Sequence, residues 1–302
     1  LKAAIDCTGR GLHGGAPVRL TLRPAAAGAG IVFHRTDLGL KIPARFDFVS
    51  DTRLCTLISL PDNPAARVGT IEHLMAAVAA RGIDDLVIEI DGPEVPILDG
   101  SAAPFLFLIE SAGVVAHGGG RETLEILRPV RVAKGEAFAE LWPAAPGIFG
   151  PGGFDLSLTI EFAAAAIGRQ CFGLRLTAEG FSRELAAART FTLAAEIEAL
   201  RAAGLARGGS LANAIVVDGA KVLNPEGLRW PDEFVRHKLL DVVGDLALAG
   251  APIAGRFVGH RTGHALNNLL LREVFADAAN YRMVRAPAVG AAMRMPAAAA
   301  PV

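Results

Sequence analysis

Aromatic residues are scarce: one tyrosine, two tryptophans and 15 phenylalanines make up 6% of the 302 residues. A stacking platform for single-stranded nucleic acid is therefore not expected. Neither sign of charge dominates. Thirty basic residues face 31 acidic ones, so no whole-chain field draws in nucleic acid or an anionic membrane. Cysteine is sparse too. Cys7, Cys55 and Cys171 are widely spaced and form no CxxC pair, which argues against a disulfide scaffold or a thiolate zinc cluster and fits a reducing cytoplasm. No uninterrupted apolar run reaches the ~18–20 residues of a membrane span, so stable membrane insertion is not expected. The start at Leu1 shows no basic segment followed by a hydrophobic run, so no signal peptide is expected; the missing Met implies that a few native residues precede it.

What remains is an apolar, ordered chain. Hydrophobic residues reach 52% and charged residues 20%, a composition that buries a core and excludes intrinsic disorder. A length near 300 is where one core stops growing, so two domains are expected. The best linker signal is Ala116-His117-Gly118-Gly119-Gly120. It divides the chain into residues 1–117 and 121–285, followed by a tail, 286–302, whose Ala/Pro-rich end from Pro296 is expected to fray. In the first part Val18 to Leu22 alternates as a half-buried strand, Ile71 to Arg81 reads as a helix stopped by Gly82, and Leu86 to Ile90 reads as a strand. Pro104 to Ala112 is a second helix, closed by Gly113. In the second part Leu124 to Val132, Phe154 to Phe162 and Ala214 to Val217 read as strands. Ser182 to Leu200 reads as helix interrupted near Arg189 to Thr192. Pro231 to Ala249 is the clearest helix, with Pro231 suited to its first position and Gly250 to its end. The fold class is α+β, and the similar strand–helix order of the two parts points to duplicated architecture.

The helix predicted over 231–249 carries His237, Asp241 and Asp245 at i, i+4 and i+8. Helical geometry sets them in a row on one face, neighbours about 6 Å apart. The apolar residues around them imply burial, and buried carboxylates cost several kcal/mol each unless paired or metal-bound. His237 and Asp241 offer two ligands to one ion; a solvated polar stripe is the alternative. A third ligand is available in His73, preceded by Glu72, although a histidine there, taken alone, is more often a packed one at a helix start. Three ligands of N, N, O type leave a fourth position for water, which marks a catalytic site, and zinc would bring that water's pKa towards ~7 with Glu72 as proton acceptor. His264 follows a glycine, and with Asp245 as partner it would stay protonated and donate to a leaving amine; otherwise it is a turn histidine facing solvent. His13 and His34 read as structural or exposed. Gly9 to Gly15 lacks the GK[ST] of a P-loop and reads as a tight turn between strands. Lys238 and Arg261 are cations that could hold substrate phosphates.

Six segments together resemble the UDP-3-O-acyl-N-acetylglucosamine deacetylase family, zinc enzymes of lipid A biosynthesis in Gram-negative bacteria. They are Gly9-Arg10-Gly11-Leu12-His13, Val68-Gly69-Thr70-Ile71-Glu72-His73-Leu74, Ile97-Leu98-Asp99-Gly100-Ser101-Ala102, Ala188-Arg189-Thr190-Phe191, Asp232-Glu233-Phe234-Val235-Arg236-His237-Lys238 and Gly263-His264-Ala265-Leu266-Asn267. Each is weak alone; their order over roughly residues 5–275 is specific. The resemblance implies two α+β domains of similar topology, layered as a β-α-α-β sandwich with the active site between them. It implies His73, His237 and Asp241 as zinc ligands (iron(II) being the other candidate), Glu72 as general base and His264 with Asp245 as the cationic pair. Thr190 would donate to the oxyanion, and Lys238 and Phe191 would contact substrate. Arg261 stands where a lysine often occurs, which changes the donor geometry.

An insert near 193–223 would form the acyl passage, with Ile197, Leu200, Ala206, Ile215 and Val217 as its apolar residues, which ordinary core packing would explain as well. Thr192, Leu193, Ala206 and Ala212 depart from the family pattern there and bear on chain-length preference, not on the chemistry. The implied partner is a small-molecule UDP-sugar lipid, met by a monomer in the cytoplasm. Two other readings stay open: a zinc amidohydrolase of a different acylated amino sugar, and a non-catalytic sugar-nucleotide binder that has kept the scaffold.

Overall fold

The computed structural model describes residues 1–118, 120–144 and 153–285. The tail expected over 286–302 lies outside them. Six α-helices occur among the described residues: α1 (Glu72–Ala80), α2 (Ala103–Ala112), α3 (Ala178–Glu184), α4 (Ala194–Ala202), α5 (Glu233–Leu246) and α6 (His264–Ala276).

The first half builds a sheet in the order Ile5–Arg10, Pro17–Pro24, Leu86–Ile90, Ile31–Arg35, Leu40–Pro43. Its first two strands are an antiparallel hairpin across the glycine-rich turn. Leu86–Ile90 arrives after α1 and fills the middle, antiparallel to one neighbour and parallel to the other. The second half repeats the plan in the order Val130–Lys134, Ala137–Trp142, Ile253–His260, Phe154–Glu161, Arg169–Arg175. Here Ile253–His260 arrives after α5 and takes the central place, again antiparallel on one side and parallel on the other. Glu122–Ile126 and Tyr281–Arg285 extend this sheet to seven strands. The duplicated architecture expected from the order of elements is therefore present.

Period-two patterning makes these strands one-sided. Val18, Leu20 and Leu22 are buried while Arg19 and Arg23 face out, and Phe154, Leu156, Leu158 and Ile160 are buried in turn. Each sheet buries its apolar face under helices. α1 packs on α5 at the centre, α2 flanks α1, and α5 and α6 lie on the second sheet, so the layers run β-α-α-β. In this central position α1 is apolar nearly all round, with Leu74, Met75 and Val78 fully buried. Gly244 of α5 lets the two helices meet, because a Cβ there would collide with the Glu72 backbone carbonyl.

Three sequence boundaries shift. The strand expected over 124–132 is two, Glu122–Ile126 and Val130–Lys134; Pro129 between them has no N–H for a ladder. The interrupted helix expected over 182–200 is α3, capped by Thr177 accepting from the Gly180 N–H, then α4, with the strand Phe191–Leu193 between them. That strand pairs in parallel with Ile215–Asp218. Finally, α5 starts at Glu233 after Asp232, so Pro231 precedes the helix instead of opening it; a 3-10 turn and left-handed Gly250 end it. Each half also carries an insert ahead of its central helix: a small sheet of Val49–Asp51, Leu57–Leu60 and Asn63–Val68 in the first, and the α3–α4 region in the second. No helix among the described residues is long and apolar enough to cross a membrane.

Candidate metal centre

The packing of α1 on α5 brings residues from both halves to one point. α1 presents Glu72 and His73 in its first turn, and α5 presents His237 and Asp241 one turn apart. His73 Nε2 lies 3.6 Å and His237 Nε2 3.4 Å from the same oxygen, Asp241 Oδ1. The two imidazoles meet edge to face, with ring centroids 5.0 Å apart. All three residues are buried, and one ligand atom of each lies within 4.8 Å of the others. An ion bonded tetrahedrally at about 2.0–2.1 Å sets its ligand atoms roughly 3.3 Å apart, close to this spacing.

The second polar atoms of His237 and Asp241 are already engaged. His237 Nδ1 donates to the Ala188 carbonyl at 3.1 Å, leaving Nε2 as a lone-pair donor. Asp241 Oδ2 accepts from Lys238 Nζ at 2.7 Å, whereas Asp241 Oδ1 is buried without any hydrogen-bond partner. An unpaired buried carboxylate oxygen beside two imidazole nitrogens is costly unless a cation takes it up, so the residues fit a divalent metal ion. Charge states agree. Burial pushes the His237 pKa down to about 3 despite the pull of Asp241, so the imidazole is neutral. Burial also opposes the Asp241 charge, but positive charge beside it, chiefly the Lys238 ammonium where His237 is neutral, outweighs burial and holds that carboxyl well below the usual range. The row on α5 is thus not a solvated stripe.

A second cluster adjoins the first. Asp245 lies one turn beyond Asp241, and its Oδ2 accepts from His264 Nδ1 at 2.9 Å and from Asn267 Nδ2 at 2.8 Å. Thr262 Oγ1 donates to Asn267 Oδ1 at 2.8 Å and so orients that amide. His264 opens α6, and its Nε2 faces Glu72 Oε1 at 3.9 Å. Burial works against the imidazolium, but Asp245 and then Glu72 prevail and raise the His264 pKa to about 9. Burial likewise raises the Glu72 pKa, against the pull of His264 and His73. The structure therefore pairs an imidazolium with a carboxyl of raised pKa beside the three residues that could hold an ion.

Both clusters open on a cavity of about 530 Å³ that also reaches Thr190, Phe191, Lys238 and Arg261. Thr190 is fixed by its backbone, its N–H on the Gly100 carbonyl and its carbonyl accepting from Ile215 N–H, both at 2.8 Å. Phe191 packs edge-on against Phe162 and Phe234. Lys238, expected beside phosphates, is bonded to Asp241, and Arg261 donates to Glu136 at 2.8 Å. Of the residues expected along an acyl passage, Ile215 and Val217 are buried in the core, Ile197 and Leu200 are half-buried on α4, and Ala206 is in a turn at φ 52°. None of the five lines this cavity, whereas Thr192 and Leu193 do.

Some contributors are not visible in the sequence. His13, read as structural or exposed, lies in the cavity wall, its turn held by Glu94, which accepts from the His13 and Gly14 N–H groups. Thr56 bonds both Glu72 and Asp245. Glu233 is fully buried and holds Arg189 through both the guanidinium and the backbone N–H.

Comparison with known proteins gives a consistent result. The family model described as "LpxC: UDP-3-O-acyl N-acetylglycosamine deacetylase" matches residues 1–276. A UDP-3-O-acyl-N-acetylglucosamine deacetylase from Anaeromyxobacter dehalogenans is 50% identical over 93% of this chain and 88% of its own length. Enzymes of the same name from Myxococcus xanthus and Neisseria meningitidis are 51% and 46% identical, over 95% and 94% of this chain and 88% and 92% of theirs.

Proposed function

Because this chain belongs to the UDP-3-O-acyl-N-acetylglucosamine deacetylase family, we propose that it hydrolyses the 2-acetamido group of a UDP-3-O-[(3R)-3-hydroxyacyl]-N-acetylglucosamine, in lipid A biosynthesis, at the cavity between α1, α5 and α6. The observation that carries this reading is the unpartnered Oδ1 of Asp241, in reach of two imidazoles and opening on the same cavity as Glu72 and His264. We take the metal to be zinc, with iron(II) compatible with the same donors. Held by His73, His237 and Asp241, it would supply Lewis acidity, polarising the amide carbonyl and acidifying water.

The chain's own residues do the rest. Glu72 Oε1 takes the proton from the attacking water. Its raised pKa suits a base working near neutrality. The Thr190 hydroxyl, on the cavity wall, donates to the oxyanion of the tetrahedral intermediate. His264, kept cationic by Asp245, gives its Nε2 proton to the departing amine nitrogen, without which the C–N bond does not break. Acetate and the free amine leave. Phe191 packs on the sugar, and Lys238 and Arg261 supply positive charge at the diphosphate end. The α4 insert, with Ile197, Leu200, Ala206, Ile215 and Val217, would accommodate the acyl chain by opening beyond the present cavity. We further assign residues 1–117 and 121–285 as the two domains and place the enzyme in the cytoplasm as a monomer, a compartment supported by its free thiols Cys7, Cys55 and Cys171.

Acetate release from the UDP-3-O-acyl-N-acetylglucosamine substrate tests the reading. Release is expected with the enzyme as purified, is lost after dialysis against a chelator, and returns with added zinc. Chelator-resistant release, or none from fresh enzyme, would refute it. The pH profile should be bell-shaped. Activity needs ionised Glu72 and cationic His264, so the rate rises as pH passes the raised Glu72 value and falls near the His264 value of about 9. Asp245→Asn removes the main charge supporting the imidazolium, so the basic limb should move down by about one pH unit or more. A basic limb unmoved in that variant would assign the acid to another group.

A further inference from the structure

We propose that Thr56 is a positioning residue, which sets the general base Glu72 and the Asp245–His264 pair relative to each other across the two halves of the molecule. The inference rests on the deacetylase reading above.

Three buried carboxyls, from Glu72, Asp241 and Asp245, crowd this region. Asp241 has Lys238 and the metal site. The other two share Thr56. Its backbone N–H donates to Glu72 Oε2 at 3.0 Å, and its hydroxyl donates to Asp245 Oδ1 at 2.5 Å. Thr56 is itself buried, 2% exposed. One residue of the first-half insert therefore holds one carboxyl of α1 and one of α5.

The division of oxygens makes these bonds specific. With Oε2 engaged by Thr56, Glu72 directs Oε1 toward His264 and the cavity, free to accept a proton. With Oδ1 engaged by the Thr56 hydroxyl, Asp245 keeps Oδ2 for His264 Nδ1 and Asn267 Nδ2. Without the hydroxyl, Asp245 Oδ1 would be a buried, unpaired carboxylate oxygen, and the carboxylate would turn to recover a donor. Because His264 is held through Asp245, that turn would misplace the proton donor. Thr56 does not line the cavity, but Thr52, Arg53 and Leu54 just before it do, so its anchoring also ends the wall segment at a fixed point. A residue acting through others in this way should affect the chemical step more than substrate binding.

Thr56→Val is nearly isosteric and keeps the backbone N–H. We expect kcat for acetate release to fall about 10–100-fold, the range seen when an outer hydrogen-bond partner of a site is lost, with KM within about twofold and metal content unchanged. Thr56→Ser should restore kcat to within about threefold. In an Asp245→Ala background the same Thr56→Val change should cost less than about threefold, because the acceptor that the Thr56 hydroxyl positions is gone. Thr56→Ala is read alongside and carries the same expectations if the valine variant does not fold. Wild-type kcat in Thr56→Val or Thr56→Ala would overturn the proposal. So would an equal loss in kcat with and without the Asp245→Ala change, or failure of serine to rescue. Failure of the deacetylase reading is separate, since the unmodified enzyme would then release no acetate.

Discussion

Glu72→Gln should leave the fold and the bound metal in place and lower kcat for acetate release by about 10²–10⁴-fold, the range for loss of a general base. The amide side chain keeps an oxygen to accept from the Thr56 N–H, which lies 3.0 Å from Oε2, but cannot take a proton from water. Glu72 is not among the three ligand-bearing residues that converge on one point. Metal content and activity should therefore separate in this variant, whereas a ligand substitution loses both. The acidic limb of the pH profile should vanish with the carboxyl. Wild-type turnover in Glu72→Gln would remove Glu72 from the reaction, and an unchanged acidic limb would assign that limb elsewhere.

The largest expected change in stability lies behind the site. Glu233 is fully buried, and its carboxylate accepts from Arg189 Nε at 2.9 Å, from Arg189 Nη2 at 3.1 Å and from the backbone N–H groups of Arg189 and Arg229. Arg189 is also buried, with further bonds to Glu226 and to the Gly227 carbonyl. Removing one member of a buried pair strands the other, at about 3–5 kcal/mol. Glu233→Ala should lose that much in urea unfolding, and a loss under about 1 kcal/mol would show that Glu226 and solvent replace it. The effect should reach the metal centre too, since Arg189 adjoins the Ala188 carbonyl that orients His237 and precedes Thr190 on the cavity wall.

These two residues illustrate what is legible in the sequence. Helix-period reasoning places His237, Asp241 and Asp245 in one row, and α5 carries them so. Glycine stops at Gly82, Gly113 and Gly250 match left-handed or positive-φ positions at helix ends. Local chemistry of this kind is written in neighbouring residues. Glu233 is readable only as an acidic residue favouring a helix start, because the arginine that turns it inward lies 44 positions away. The same holds for the strand Phe191–Leu193, which exists through its ladder with Ile215–Asp218. Thr56 and Asp245 are 189 positions apart, and no spacing rule links them. His13 reads as part of a turn, which it is, but the turn faces the cavity because the insert docks on it, with Arg207 and Gly208 N–H groups on the His13 and Leu12 carbonyls.

Metal stoichiometry in ligand variants bears most directly on the whole account, because α1 and α5 must bring their donors to a single ion. Purified protein dialysed against metal-free buffer should retain one equivalent of metal in the unmodified enzyme and in Glu72→Gln, and below about 0.1 equivalent in Asp241→Ala and in His73→Ala. A full equivalent retained by folded Asp241→Ala and His73→Ala would contradict it.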